Sequence, residues 1–224
     1  MKLDLTKPVV IFVGAWNPAI FKPEWIAHYL FGNEEAVEVP VTQVEQKTPL
    51  GKKEILFIDN VGISASKNRV EIYINDKNEG TITKAENAAI NLINTLQHTP
   101  IGAFGINFYI IESDPSDHIL DLLKSKDSIE QHFPIIQQAF ESSITVTDAV
   151  VLNFTRTPSP QSIQFEFNYH HNKFSAKTFE DVMRGAISKY LAKNKQILSD
   201  LYNISGDYEL SSFDLANPKE QANA

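Results

Sequence analysis

The stretch ITVTDAVVLNFTRTPSPQSIQFEFNYHHNK, residues 144–173, decides the fold. Its second part alternates: Ile163, Phe165, Phe167 and Tyr169 fall on one side of an extended chain, Gln164, Glu166, Asn168 and His170 on the other. A period of two over this length predicts a strand with one apolar face and one wet face. The run from Ile144 to Arg156 predicts a long partner strand. Thr157-Pro158-Ser159-Pro160 supplies the turn between them, so the pair reads as a hairpin.

On the C-terminal side, Thr178 with Glu180 and Asp181 marks a helix start, and an apolar stripe from Phe179 through Tyr190 to Leu201 predicts one long closing helix. After Gly206 the chain turns polar; residues 207–224 read as an extended, partly disordered tail. In it Tyr208, Leu210, Phe213 and Leu215 are candidates for a docking strand or a partner-binding motif.

On the N-terminal side the same order occurs earlier. Residues 54–74 alternate through Ile55, Phe57, Ile63, Ala65, Val70, Ile72 and Ile74, with a turn at Lys67-Asn68, and predict a strand followed by a hairpin. Thr83 and Glu86 have capping-box spacing for a helix running to about Gln97. Ile101 to Ile111 is apolar throughout, as in a central strand covered on both faces, and its Gly102 and Gly105 suggest a bulge or close packing. Upstream, Val9 to Trp16 reads as a buried strand, Pro23 to Phe31 as a short helix ended by Gly32, and Val37 to Val44 as an edge segment marked by Pro40. A helical piece is expected from Ile129 to Glu141, interrupted by Pro134.

The fold class that follows is α+β: a largely antiparallel or mixed sheet covered by helices, with two hairpin–helix halves, 1–112 and 113–206, sharing one core within a single domain of residues 1–206. Parallel nucleotide-binding folds are disfavoured, since hairpin partners outnumber crossover helices.

The chain has 224 residues, 42% hydrophobic and 21% charged, enough for a sizeable core. Fourteen Phe and no Cys put the weight on aromatic packing, exclude disulfides and thiolate metal sites, and fit a reducing compartment, with the cytoplasm as the expected location. A net charge of -8 disfavours nucleic acid, whose backbone needs clustered cations; the three arginines, Arg69, Arg156 and Arg184, are far apart in sequence. No apolar run approaches the roughly 20 residues of a membrane helix, so no membrane association is expected.

For chemistry, Asp114, Asp117, His118 and Asp121 are spaced to set oxygen and nitrogen ligands on one side of a helix start, the pattern of a divalent-cation site. Acids there equally stabilise the helix dipole. His170 and His171 point to opposite faces of their strand and do not share one ion. His28, His98 and His132 stand alone. No nucleophile elbow, metalloprotease helix or phosphate loop is present, and no cofactor is implied.

The order of the Ser64–Asn75 hairpin, the Ala85–Leu96 helix, the Pro100–Ile111 strand and the Thr178–Glu209 segment with its Asn203-Ile204-Ser205 exit resembles a sporadically distributed family of uncharacterised bacterial proteins of similar length. That family carries arginines flanking glycine in the central strand, where this chain reads Gly102-Ala103-Phe104-Gly105-Ile106-Asn107. The resemblance implies a bacterial source and supplies no activity. Three functions compete: a noncatalytic protein-binding or assembly component, with another protein or its own copy as partner; an enzyme whose metal- or histidine-based site is assembled from distant segments; and an immunity or defence accessory of a mobile element, its acidic surface complementing a basic toxin.

Overall fold

The computed structural model describes residues 1–33, 40–49, 51–124, 136–159, 161–172 and 175–218. Their strands are β1 (Lys2–Asp4), β2 (Val10–Gly14), β3 (Val41–Thr48), β4 (Gly51–Ile58), β5 (Val61–Ala65) and β6 (Arg69–Ile74). The series continues with β7 (Ile101–Ser113), β8 (Phe140–Thr147), β9 (Val150–Pro158), β10 (Ser162–His171) and β11 (Glu209–Ser211). All join one sheet in the order β3-β4-β5-β6-β2-β7-β10-β9-β8, with β1 set beside β7 and β11 beside β1. Neighbours run antiparallel except β1 and β11, which are parallel. The fold is α+β, as the alternation predicts.

β7 is the spine. Phe104 to Phe108 are buried one after another, so both faces are covered there. Its pairing with β2 skips a residue at Gly102, because Val13 lies opposite Ala103 and Gly14 opposite Ile101. That is a β-bulge. At Gly105 a Cβ would stand 3.0 Å from the Asn168 amide nitrogen, which is close packing. The edge position of β3, just after Pro40, also follows the sequence; Glu34 to Val39 lie outside the described residues.

One face of the sheet carries the helices: α1 (Pro23–Trp25) continuing as a π turn through Ile26–Leu30, α2 (Glu79–Thr95), α4 (Ala176–Met183) and α5 (Ala186–Tyr202). Short α3 (Asp117–Leu122) follows β7. Ala85, Ala89, Leu92 and Ile93 of α2 are buried with Phe12, Phe104, Phe165 and Tyr169 of the sheet.

Three boundaries differ from the sequence reading, each for a local reason. The helix expected from Thr83 starts earlier, because Asn78 accepts the Thr81 N–H at 2.8 Å and caps it. Glu86 therefore lies inside α2, buried, and reaches across to a different helix: its oxygens accept the N–H groups of Gly185 at 2.7 Å and Ile187 at 3.0 Å, at the start of α5. The single closing helix is two, since Gly185 adopts φ 69 and breaks it, while Ser175 and Thr178 form the capping box of α4. The long strand from Ile144 is also two; the chain turns at Asp148-Ala149, so that Thr147 lies opposite Val150. Of the helix expected at Ile129–Glu141, residues 129–135 lie outside the described set, and Phe140 and Glu141 belong to β8, opposite Arg156 and Thr155.

The other face is closed at one end by the C-terminal segment. Phe213 enters a small apolar cluster of Val44, Ile55, Phe57 and Tyr73. Asn75 clamps its backbone, donating to Phe213 O at 3.0 Å and accepting Phe213 N–H at 2.7 Å. Part of the expected tail is thus integral to the sheet.

Replacing Glu86 by Ala leaves two helix-start N–H groups without their buried acceptor. Chemical denaturation should show a loss of about 2 kcal/mol or more, with Glu86→Gln losing less because its amide oxygen still accepts. Equal stability of all three proteins contradicts the cap.

Candidate functional site

The acidic candidates do not converge. Asp114 follows β7 in the left-handed conformation, φ 59, and Asp117 is the first residue of α3. Asp121, exposed, is held by Lys124 Nζ at 2.5 Å, and that hydrogen bond and charge lower its carboxyl below the ordinary range. His118 lies beside Asp117 in the first turn of α3. Among the described residues no group of three or more acids, imidazoles or thiols is placed to hold a metal ion.

The two strand histidines separate as the alternation requires. His171 is buried on the helix face, stacked on Phe104 with centroids 4.2 Å apart, its Nε2 3.3 Å from the Tyr190 hydroxyl. Burial, then the charges of His170 and Lys189, press its pKa down to about 4. His170 is half-buried on the opposite face. His28 bonds Asn33 O through Nδ1 at 3.2 Å, and His132 lies outside the described residues.

The tail candidates are mostly engaged within the chain. Tyr208 and Phe213 are buried, and Leu215 packs beside Phe213; Leu210, in β11, is exposed. Trp25 and Tyr29, four apart on the first helical segment, touch with centroids 5.2 Å apart and continue an aromatic line inward through Phe21 and Trp16.

What the sheet does leave open is its β10–β9–β8 end. On the face away from the helices, aligned residues of four strands form a polar row. Ser143 Oγ donates to Asn153 Oδ1 at 2.9 Å, and Asn153 Nδ2 to Asn168 Oδ1 at 3.3 Å. Asn168 Nδ2 donates to Asn107 Oδ1, and Asn107 Nδ2 to Gly105 O at 3.3 Å. The register sets these side chains directly opposite one another. An amide carries both donors and an acceptor, so the row satisfies itself and still offers groups to a partner.

β8 closes that end of the sheet, and among the described residues nothing pairs with its outer edge. Ser143, Ile144, Thr145 and Thr147 are exposed, and residues 142–147 hold no charge and no proline. The opposite edge, β3, differs: Pro40 precedes it and Glu45 and Lys47 lie on it, the devices by which sheet edges avoid pairing.

A second polar feature lies near β3. Glu71, buried on β6, is held by Lys53 Nζ at 2.7 Å, Arg69 Nη1 at 3.3 Å and the Tyr73 hydroxyl at 2.8 Å. Burial and the neighbouring Glu71 charge raise the Tyr73 phenol far above its ordinary range. It donates and does not ionise.

Comparison of the chain with models of known families, with curated proteins and with solved structures gives no match. No helix among the described residues is long and apolar enough to cross a membrane.

Buried His171 ties the stability of the fold to pH. Folded, this ring is neutral down to about pH 4; unfolded, it takes a proton near its ordinary 6.5. Between those values the unfolded chain binds more protons, so its contribution is complete above about pH 6.5 and is lost as the pH falls towards 4. The unfolding free energy should drop by up to about 3 kcal/mol across that window, and His171→Phe should flatten much of the slope. Identical slopes for both proteins contradict the assignment.

Proposed function

We propose that the chain is a noncatalytic protein-binding or assembly component that works through the open end of its sheet. The observation that supports this most is the outer edge of β8, which no described residue pairs with, and its uncharged stretch from Ser142 to Thr147 beside the Ser143–Asn153–Asn168–Asn107 row. An unguarded strand edge gives affinity by main-chain hydrogen bonds, and the side chains beside it give specificity. The scatter of the acids and imidazoles favours recognition over a catalytic cleft.

A second copy of the chain is the partner the residues fit best. If two β8 strands pair antiparallel about a two-fold axis at Ile144, Ser143 lies opposite Thr145 and Ser142 opposite Val146, with no like charges opposed. Such an interface joins two sheets into one and ends the exposure of Ile144. The absence of cysteine fits work in a reducing cytoplasm.

Light scattering on the purified chain is expected to give a dimer. Ile144→Lys sets two lysines against each other at the axis and should give a folded monomer with the circular dichroism of the wild type, because the position is exposed in the single chain. A wild-type chain that remains monomeric at high concentration, and that brings no stoichiometric partner when purified from its native cell, contradicts the proposal.

A further inference from the structure

The sheet is not paired throughout. β4 has eight residues, yet its ladder with β5 holds only Leu56 opposite Ile63, Phe57 opposite Gly62 and Ile58 opposite Val61. Beyond Leu56 the β3–β4 hairpin leaves β5, and a cleft of about 610 Å³ opens in the fork. Glu54, Lys53 and Lys52 line one side, Ser64, Ala65 and Arg69 the other.

The backbone hydrogen bonds of β5 fix which groups aim into the fork. Ser66 N–H donates to Arg69 O at 2.8 Å and Asn75 N–H to Asn60 O at 2.8 Å, so even-numbered residues of β5 bond β6. Odd-numbered residues face β4. Val61 and Ile63 find partners there, but Ala65 does not. By the same alternation Leu56 and Ile58 serve β5 while Glu54 points its N–H and C=O at the opening. Two strands thus present unused main-chain donors and acceptors to each other across a gap.

The side chains flanking the gap differ by face. On the face away from the helices, Lys53 and Arg69 both pair with the carboxylate of Glu71, and Glu54 adds a second carboxylate to the cleft lining. Arg69 is half exposed and uses Nη1 on Glu71; the buried Ser64 hydroxyl lies beside them. On the helix face the cleft continues into a depression of about 220 Å³ where Pro18, Phe21, Leu56 and Ile63 lie beside the Glu54 carboxylate and Ser64. One side of the fork carries the Lys53 and Arg69 cations, and the other sets apolar side chains beside one carboxylate, Glu54.

We infer that the fork is a binding site for an extended segment of another protein, which enters between β4 and β5 as an added strand. A strand projects alternate side chains to opposite faces. The occupant therefore alternates acidic residues, seated on Arg69 and Lys53, with uncharged apolar residues on the face where Glu54 disfavours a second acid and Pro18 and Phe21 line the depression. The site is separate from the β8 edge; oligomeric state tests that edge and leaves the fork untouched, so either can fail alone.

The test uses acetylated, amidated pentapeptide pools of the form Xaa-Glu-Xaa-Glu-Xaa, with Xaa drawn from Val, Ile, Leu and Phe, and the matching pools with Lys for Glu. The wild-type chain should retain the Glu pool at least about tenfold over the Lys pool, as one well-placed charge pair gives. Arg69→Gln should abolish that preference. Ala65→Pro removes the N–H aimed into the fork, which the β5–β6 ladder does not use, and should cut retention of the Glu pool about tenfold in a chain that still unfolds cooperatively. Glutarate alone should not compete at equal concentration, which separates strand addition from simple anion binding. Equal retention of both pools, no retention of the Glu pool, full retention by Ala65→Pro, or competition by glutarate each overturns the inference.

Discussion

A sheet has two faces, and here the helices cover one. Everything else in the structure answers to that constraint. On the helix face the pattern is plain, with Phe104, Ile106, Phe108, Phe165, Phe167 and Tyr169 buried beneath α2, α4 and α5. Helix docking on that face is itself tied by a polar contact, Glu86 of α2 at the start of α5, which fixes two packed helices to each other by hydrogen bonds that burial strengthens. The opposite face has no helical cover among the described residues and has to be apolar where something covers it and polar where nothing does.

Both solutions occur on the one face. Near β3 and β4 the chain returns to cover its own sheet, with β11 beside β1 and Phe213 on Phe57 and Tyr73. At the β8 end the face is amides and hydroxyls that bond one another across strands. Between them lies the buried Glu71, whose charge is stabilised by Lys53, Arg69 and Tyr73 together, so that losing the half-exposed Arg69 still leaves it two partners. The fork beside it follows from the same arrangement, because the β3–β4 hairpin is longer than the ladder that joins it to β5.

The sequence made the sheet legible where period two was long and clean. β10 and its turn into β9, the edge nature of β3, the bulge at Gly102 and the short helix before Gly32 all carry local signals, and all are present. What it hid was non-local. Glu86 has the spacing of a capping box, but its partners are about a hundred residues away, and nothing near Thr83 reveals them. Asp148-Ala149 lacks the glycine that usually announces a hairpin turn, so two strands read as one. Phe213 looked like a free aromatic in a polar tail; only the gap over Phe57 and Tyr73 gives it a place. The candidate sites followed the same division. The acids around α3 are neighbours in sequence and were conspicuous, whereas Lys53, Ser64 and Arg69 come together only through strand register, which local spacing does not encode.

At the fork the sheet is left unfinished, with main-chain groups of Glu54 and Ala65 that no neighbouring strand among the described residues uses. Residue-resolved amide hydrogen exchange in the unliganded protein tests that most directly. The N–H groups of Glu54 and Ala65 should exchange rapidly while those of Ser64 and Ile55, which bond their neighbours on the other side, remain protected. Slow exchange at all four would mean that the fork is closed in solution and would contradict it.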